Sequence, residues 1–389
     1  MKRWDLKRRD LANSAILLVA FLLRVVWHLH FGTADGMPDT TLYIETGSAL
    51  FATGKMSSFL YMPLYPVAIH LLGVSGIVWL QILLSTWTVY LVYLVALAIW
   101  NDRNAALVAA GACAIHPVLI IYANAPLTET SFTFLAMLGL LLLYRSKVAL
   151  AALVFVLANL MRPTLDLVYP LIFAASALAA EPPRAMLAAK RVAIYLAVYV
   201  ALMCPWWLHN YALYGKFVRL NLAGGITAIL ENSKSFEQHG FDWTVDPPWE
   251  PYGSIADPVE RDRAMMTAGI RYIFENPGSW LRASGDRFLR FFTPWPAPVT
   301  PVRQKWIISI LTLPIFACAF LSLAFNFRNW RRLLPVVLPV AFVIAVHLAT
   351  HANMRYRLPI DPLLAVIGAG FLPLLYGYFS RRRAVVPGR

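Results

Sequence analysis

From Leu11 to Phe31 the chain reads LANSAILLVAFLLRVVWHLHF, with Arg24 as its one Lys, Arg, Asp or Glu. A helix of about 20 such residues crosses the hydrocarbon of a bilayer. The pattern recurs at 76–100, 103–121, 127–144, 147–160, 163–180, 192–209, 305–326, 333–350 and 358–379. Backbone groups in lipid must be satisfied within the protein, which leaves helices or closed barrels. The expected fold is an all-α polytopic membrane protein with about ten transmembrane helices. Two segments, 147–160 and 163–180, are short and split by MRPTLD (Met161–Asp166), and read as a hairpin that does not fully cross.

Composition excludes a soluble domain: 14% of residues are charged and 59% hydrophobic, where soluble domains carry about a quarter charged. A net charge of +14 would ordinarily point to nucleic acid. Its distribution argues against that partner. Lys2, Arg3, Lys7, Arg8 and Arg9, then Arg145 and Lys147, then Arg184, Lys190 and Arg191, all flank apolar segments. So do Arg328, Arg331 and Arg332, and Arg381 to Arg383. Lys and Arg resist translocation, and ten crossings put every cluster and both termini on the cytoplasmic side of the cell (inner) membrane. Cys113, Cys204 and Cys318 lie far apart in apolar stretches, so no disulfide framework is implied. The N-terminal apolar stretch lacks a small-residue cleavage site and reads as a retained span.

Three segments are left outside. Residues 32–75 form a first outer loop, in which YMPLYPVAIHLLG is apolar but too short to span and reads as an interfacial helix. YANAPLTET is a short link, and 210–304 is a longer outer region rich in Trp, Pro and Gly, including Trp243, Trp249, Trp280 and Trp295. Within it, DPVERDRAMMTAGIRYIFENPGSWL reads as an amphipathic helix. The chain thus divides into a transmembrane module over 1–209 that carries the first loop, the outer region 210–304, and C-terminal helices over 305–389. No internal repeat is visible, whereas a transporter built on inverted repeats should show two similar halves.

Ionisable groups near hydrocarbon are costly, so their positions are informative. Asp39 lies in the first loop, Glu129 in APLTET, Arg162 and Asp166 in MRPTLD, Arg355 and Arg357 in HANMRYRLPIDP, and Arg24 in the outer half of the first span. Five segments distant in sequence thus bring acids and arginines to one depth. Each has a plainer reading: Asp39 as a helix N-cap, Glu129 as an acid at a helix start, the arginines as interfacial anchors. His28, His30, His209, His347 and His351 show no zinc-ligand spacing. Acids facing arginines suit transfer of a group from a phosphate-bearing lipid to a hydroxyl. A carboxylate takes the acceptor's proton, and guanidinium forks neutralise the departing phosphate.

Arg24, then PDTTLY (Pro38 to Tyr43), LFATGK, YMPLYP, LTET around Glu129, LMRPT (Leu160 to Thr164), CPWWLHNYALYGKFVRLNLAGG and RYRLPIDPLL stand in this order along nearly the whole chain. In that order and spacing the chain resembles polytopic glycosyltransferases of the GT-C fold, in the branch of the dolichyl-phosphate-mannose–protein mannosyltransferases and lipid A aminoarabinose transferases. The resemblance implies inverting transfer of a sugar from a polyprenyl-phosphate carrier to a glycan, lipid or protein acceptor, at the outer face of the membrane. It implies Asp39 as general base and Glu129 as a catalytic-site acid that supports the residues around it or positions a metal. It also implies Arg355, Arg357, Arg162, Arg24, Tyr43 and Tyr61 as substrate-binding residues. A divalent metal is compatible with the resemblance but not required by the sequence. Three positions depart from the family: Thr40 stands where many relatives have a second acid, Met62 where a Lys is found, and His209 where an Arg is common.

The rival reading is a flippase or transporter of a lipid-linked sugar without transfer chemistry, which would gain nothing from a general base. The expected topology is testable apart from either activity. With native cysteines removed, a cysteine at Ser254 should react with an impermeant thiol reagent added to intact cells, and one at Ser380 should not. The reverse labelling pattern overturns the orientation.

Overall fold

The structure is a computed structural model, and it describes residues 3–33, 38–178, 185–242, 244–294, 302–326 and 329–376. Lys2, Arg184, Arg328, Arg381 to Arg383, Trp243, Trp295 and the last part of the 358–379 segment lie outside the described residues. Those described form helices joined by turns, with no strand among them.

α1 (Arg3–Phe31) is the first apolar span. Its Leu18, Leu22, Val26 and Leu29 are exposed, as a helix facing lipid requires. After α2 (Pro38–Thr53) in the first loop comes α3 (Leu64–Trp100), broken at Gly73, whose φ of 67° and ψ of 171° leave the helical region. That positive φ is easy only for glycine. The break separates a short leading segment, the expected interfacial helix, from the spanning one.

α4 (Arg103–Ala114) starts on Asp102, whose carboxylate accepts from the N–H groups of Asn104 and Ala105 at 2.8 and 3.0 Å. It meets α5 (Pro117–Ala123) at a 54° bend. Pro117 cannot donate back into α4 and disfavours helix at the residue before it, so the axis turns there.

α6 (Thr128–Tyr144) and α7 (Val148–Met161) run antiparallel, joined by a turn with Ser146 at φ 56°. α7 stops where Pro163 forces Arg162 into extended geometry, φ −160° and ψ 122°. One 3-10 turn (Pro163–Leu165) then leads into α8 (Tyr169–Leu178), so MRPTLD is the expected break. α9 (Ala185–Tyr214) returns to the end of the bundle that carries Asp39.

The 210–304 stretch, expected as the outer region, holds α10 (Gly224–Ile229), α11 (Lys234–His239), α12 (Pro258–Glu275) and α13 (Pro277–Phe292). The amphipathic helix expected across this stretch is cut in two at Asn276, because Pro277 starts a new helix. α14 (Val302–Phe325), α15 (Trp330–Ala349), the single turn α16 (Met354–Arg357) and α17 (Asp361–Ala369) complete the bundle.

Each of the ten expected segments coincides with a helix, but they are not equal. Among the described residues five helices are long and apolar enough to cross a membrane, or six if α4 and α5 count as one bent span. α6, α7, α8 and the helix from Asp361 to Tyr376 are shorter. Several of these short helices are core helices, and every residue of α17 is buried. Hydropathy registers burial in protein and burial in lipid alike, which is why it marks ten segments where five or six helices are long and apolar enough to cross.

The outer region is tied down by close backbone approach. A Cβ on Gly225 in α10 would stand 2.1 Å from the carbonyl oxygen of Asp262 in α12. We expect Gly225→Ala to force α10 off α12 and destabilise this region by about 1–3 kcal/mol. Limited proteolysis between 230 and 258 should speed up in the variant, and an unchanged rate would show that the contact is dispensable.

Candidate functional site

Asp39 is the second residue of α2, after a proline that pre-sets the first helical turn. Its carboxylate is engaged sideways: Oδ1 accepts from the Tyr61 hydroxyl at 2.9 Å and Oδ2 from Arg355 Nη1 at 2.6 Å. The side chain stays one-third exposed.

Glu129, second in α6, is fully buried. Its Oε1 accepts from Arg162 Nη1 at 2.7 Å and from Arg355 Nε, and its Oε2 from the Thr128 hydroxyl at 3.4 Å. Arg355 thus spans both acids, and Arg162 backs Glu129 from the other side. Two carboxylates and two guanidinia form one neutral cluster drawn from four segments.

The cluster is held by neighbours. Asn353 caps α16 by accepting from the Arg355 N–H at 3.1 Å. Arg162 donates from Nη1 to Thr128 at 3.1 Å and from Nε to Thr164 at 3.0 Å, and lies 5.4 Å above the Tyr356 ring. Gln81, buried in α3, donates to the carbonyls of Ala125 and Leu127 at 2.9 and 3.1 Å, which sets the turn that leads into Glu129. Tyr43 packs between Tyr61 and Tyr65, with ring centroids 4.4 and 4.8 Å away.

Burial, then the Asp39 charge, pushes the Tyr61 phenol well up, so it stays a proton donor to Asp39. Burial and then Glu129 do the same for Tyr43. For Arg355, burial works against the charge, but Glu129 and Asp39 more than offset it and raise its pKa.

Two residues expected at the site stand elsewhere. Arg357 is fully buried, with Nε donating to Asp361 at 2.8 Å and Nη1 to the carbonyls of Phe291 and Thr293. Residues two apart on a helical turn point to different sides, so Arg355 and Arg357 cannot both face Asp39. Arg24 is likewise buried, with Nε on Ser85 at 2.7 Å and Nη1 on the carbonyls of Ala20 and Ala114, and staples α1 to α3 and α4. Asp166 belongs to a separate pair with Arg219 at 2.7 Å.

Sequence reading missed Glu231, a fully buried acid of the outer region. It accepts from Arg287 Nε at 3.1 Å, from Arg290, from His351 at 2.6 Å and from the Ala352 N–H at 3.3 Å. Burial alone would raise its pKa, but His351 and the two arginines hold it low. The signal for it was thin: one acid in AILENSKS, opposite Arg287 and Arg290 three apart on a later helix.

An apolar cleft of about 260 Å3 lies between the first loop and α9, lined by Leu50, Met56, Pro63, Leu160, Trp206 and His209 among others; Pro63 and Leu160 stand two residues from Tyr61 and Arg162 in the chain. Its one ionisable lining group, His209, has a buried Nε2 with no hydrogen-bond partner. Among the described residues no three His, Cys, Asp or Glu side chains gather as metal ligands. Arg355 already sits between the Asp39 and Glu129 carboxylates, where a shared metal would need to be, so this donor set does not fit one.

No family profile and no characterised protein sequence matches the chain. Among solved structures, it is similar to the Archaeoglobus fulgidus oligosaccharyltransferase in its apo form, at 12% identity and a TM-score of 0.57. The match covers 97% of this chain and 52% of the other, so this chain spans about half the length of that protein. At this identity the likeness shows a shared fold alone, an all-α polytopic architecture.

Removing one partner of a buried ion pair leaves the others unpaired, at about 3–5 kcal/mol. Glu129→Gln should therefore lower thermal stability in detergent by about that much, while Asp39→Asn, at a one-third exposed position, should change it little. Equal effects would mean the cluster does not have its weight on Glu129.

Proposed function

We propose that this chain is a membrane glycosyltransferase. On this reading it moves a sugar from a polyprenyl-phosphate donor to a hydroxyl of a glycan, lipid or protein acceptor, with inversion. One observation carries the reading: a partly exposed carboxylate and a buried one meet two arginines in a helical bundle that shares its fold with an oligosaccharyltransferase. Both termini in the cytoplasm, and a site facing the exterior of the cell membrane, belong to the same proposal.

The lipid chain of the donor lies in the apolar cleft, and its phosphate meets Arg355, Arg162 and His209. Arg355 then shares its charge with a stronger anion and loosens from Asp39. That leaves Oδ2 of Asp39 open to the acceptor hydroxyl, so donor binding readies the carboxylate. The acceptor oxygen bonds to the anomeric carbon while the bond from that carbon to the phosphate oxygen breaks. Polyprenyl phosphate leaves with the electron pair, its charge met by the guanidinium forks, and Asp39 takes the acceptor's proton. Tyr61, a protonated donor on Oδ1, orients the carboxylate. Glu129 keeps both arginines in place. Arg24 and Arg357 have structural roles in this scheme. A flippase would need none of this machinery at one end only.

Purified protein supplied with a panel of polyprenyl-phosphate sugars tests the proposal. Asn caps helices about as well as Asp but cannot take the proton, so Asp39→Asn should retain donor binding and transfer sugar at least about a hundredfold more slowly. Transfer by Asp39→Asn at near the parental rate would remove the base assignment. Movement of intact donor across a vesicle without transfer would favour the flippase.

A further inference from the structure

The opposite end of the bundle holds a second polar cavity that the transfer chemistry leaves unused. α6 runs from the Glu129 turn to Tyr144, about 25 Å at 1.5 Å per residue, and the cavity lies at its far end. It encloses about 180 Å3, and its polar lining is Tyr144, Ser146, Ser176, Arg191 and Arg332. These come from the end of α6, the following turn, the end of α8 and the starts of α9 and α15. Arg145 and Lys147 flank Ser146, and Lys190 precedes Arg191, so this is a basic end of the molecule.

Arg191 makes it a site. The residue is only 6% exposed, yet no carboxylate among the described residues pairs with it and none lines the cavity. Its Nη1 donates to Ser176 at 2.8 Å and its Nη2 to Ser146 at 3.4 Å, while its Nε–H is buried and meets no acceptor. Of the other buried arginines among the described residues, two have a carboxylate, and the third, Arg24, has every nitrogen on an acceptor. Arg287 has Glu231, Arg357 has Asp361, and Arg24 directs its donors to Ser85 and backbone carbonyls. A buried cation without an anion costs several kcal/mol. At about 30 Å3 per water the space would hold about six waters, room enough for a phosphate group. Basic pockets between helix ends at a membrane surface suit lipid phosphates.

We propose that this cavity binds a phosphate oxyanion, with the Arg191 guanidinium as its principal partner and the Ser146 hydroxyl beside it. Two sources offer that chemistry: the phosphodiester of an anionic phospholipid in the adjoining leaflet, and free inorganic phosphate. Neither depends on the transfer reaction.

The test titrates the purified full-length chain in detergent with phosphatidylglycerol, or with sodium phosphate at constant ionic strength, and follows thermal unfolding. Arg191→Met keeps the bulk of the stem and removes the charge. The parent should gain thermal stability on titration, and the variant should need at least tenfold more ligand for the same gain. Without ligand, Arg191→Met should unfold at the same or a higher temperature, because the uncompensated cation is gone. Arg191→Lys, which keeps the charge and loses the fork, should retain a weakened response, and it serves if the Met variant cannot be recovered. Response to phosphatidylglycerol alone assigns the site to a lipid, and response to sodium phosphate assigns it to a soluble anion. The proposal falls if the parent responds to neither, if parent and variants respond alike, or if Arg191→Met loses the same stability with and without ligand.

Discussion

The buried carboxylate of Glu129 organises the site end of this molecule. Alone, a charged acid with no solvent access would cost several kcal/mol. It persists because Arg162 and Arg355 converge on it from the break after α7 and from the turn before α17. That demand pulls elements more than two hundred residues apart in sequence into one place. Arg355 has donors to spare and reaches on to Asp39. Well-packed apolar residues often match a buried ion cluster in stability, so the cluster is weak evidence of a stabilising role.

Arg355 is aimed by the outer region. α15 ends with carbonyls that have no partner in the helix. Those of Leu348 and Ala349 accept from Ser284, Arg287, Asn232 and Trp280. Glu231 then holds His351 and the Ala352 N–H, immediately before the turn that carries Arg355. Tyr356 stacks flat on His347, centroids 4.6 Å apart, and lies beneath Arg162. A segment that reads as a surface domain is thus also the clamp that fixes the arginine between the two acids.

The two ends of the bundle handle charge differently. At the Asp39 end acids and arginines neutralise one another, so a phosphate arriving there must compete for the guanidinia. At the Arg191 end a buried guanidinium has, among the described residues, only hydroxyl partners. The first arrangement suits a ligand that comes and goes. The second suits a resident anion.

Sequence alone determined much of this. Apolar runs and their basic flanks marked ten helical segments, MRPTLD marked a break, and the acids and arginines at one depth included Asp39, Glu129, Arg162 and Arg355. Those features are local: helix length, proline geometry and the cost of charge near lipid act over a few residues. What only the tertiary structure decided is direction and partnership. Arg355 and Arg357 are indistinguishable as letters, yet one faces Asp39 and the other Asp361, because one helical turn sends them to different sides. Arg24 shares the depth of the site but is taken up by Ser85 and carbonyls of neighbouring helices. Glu231 gave no local sign of its place, since its burial comes from partners 56 and 120 residues away. Which short helices are wrapped by protein and which face lipid was equally hidden, because both environments select the same apolar side chains.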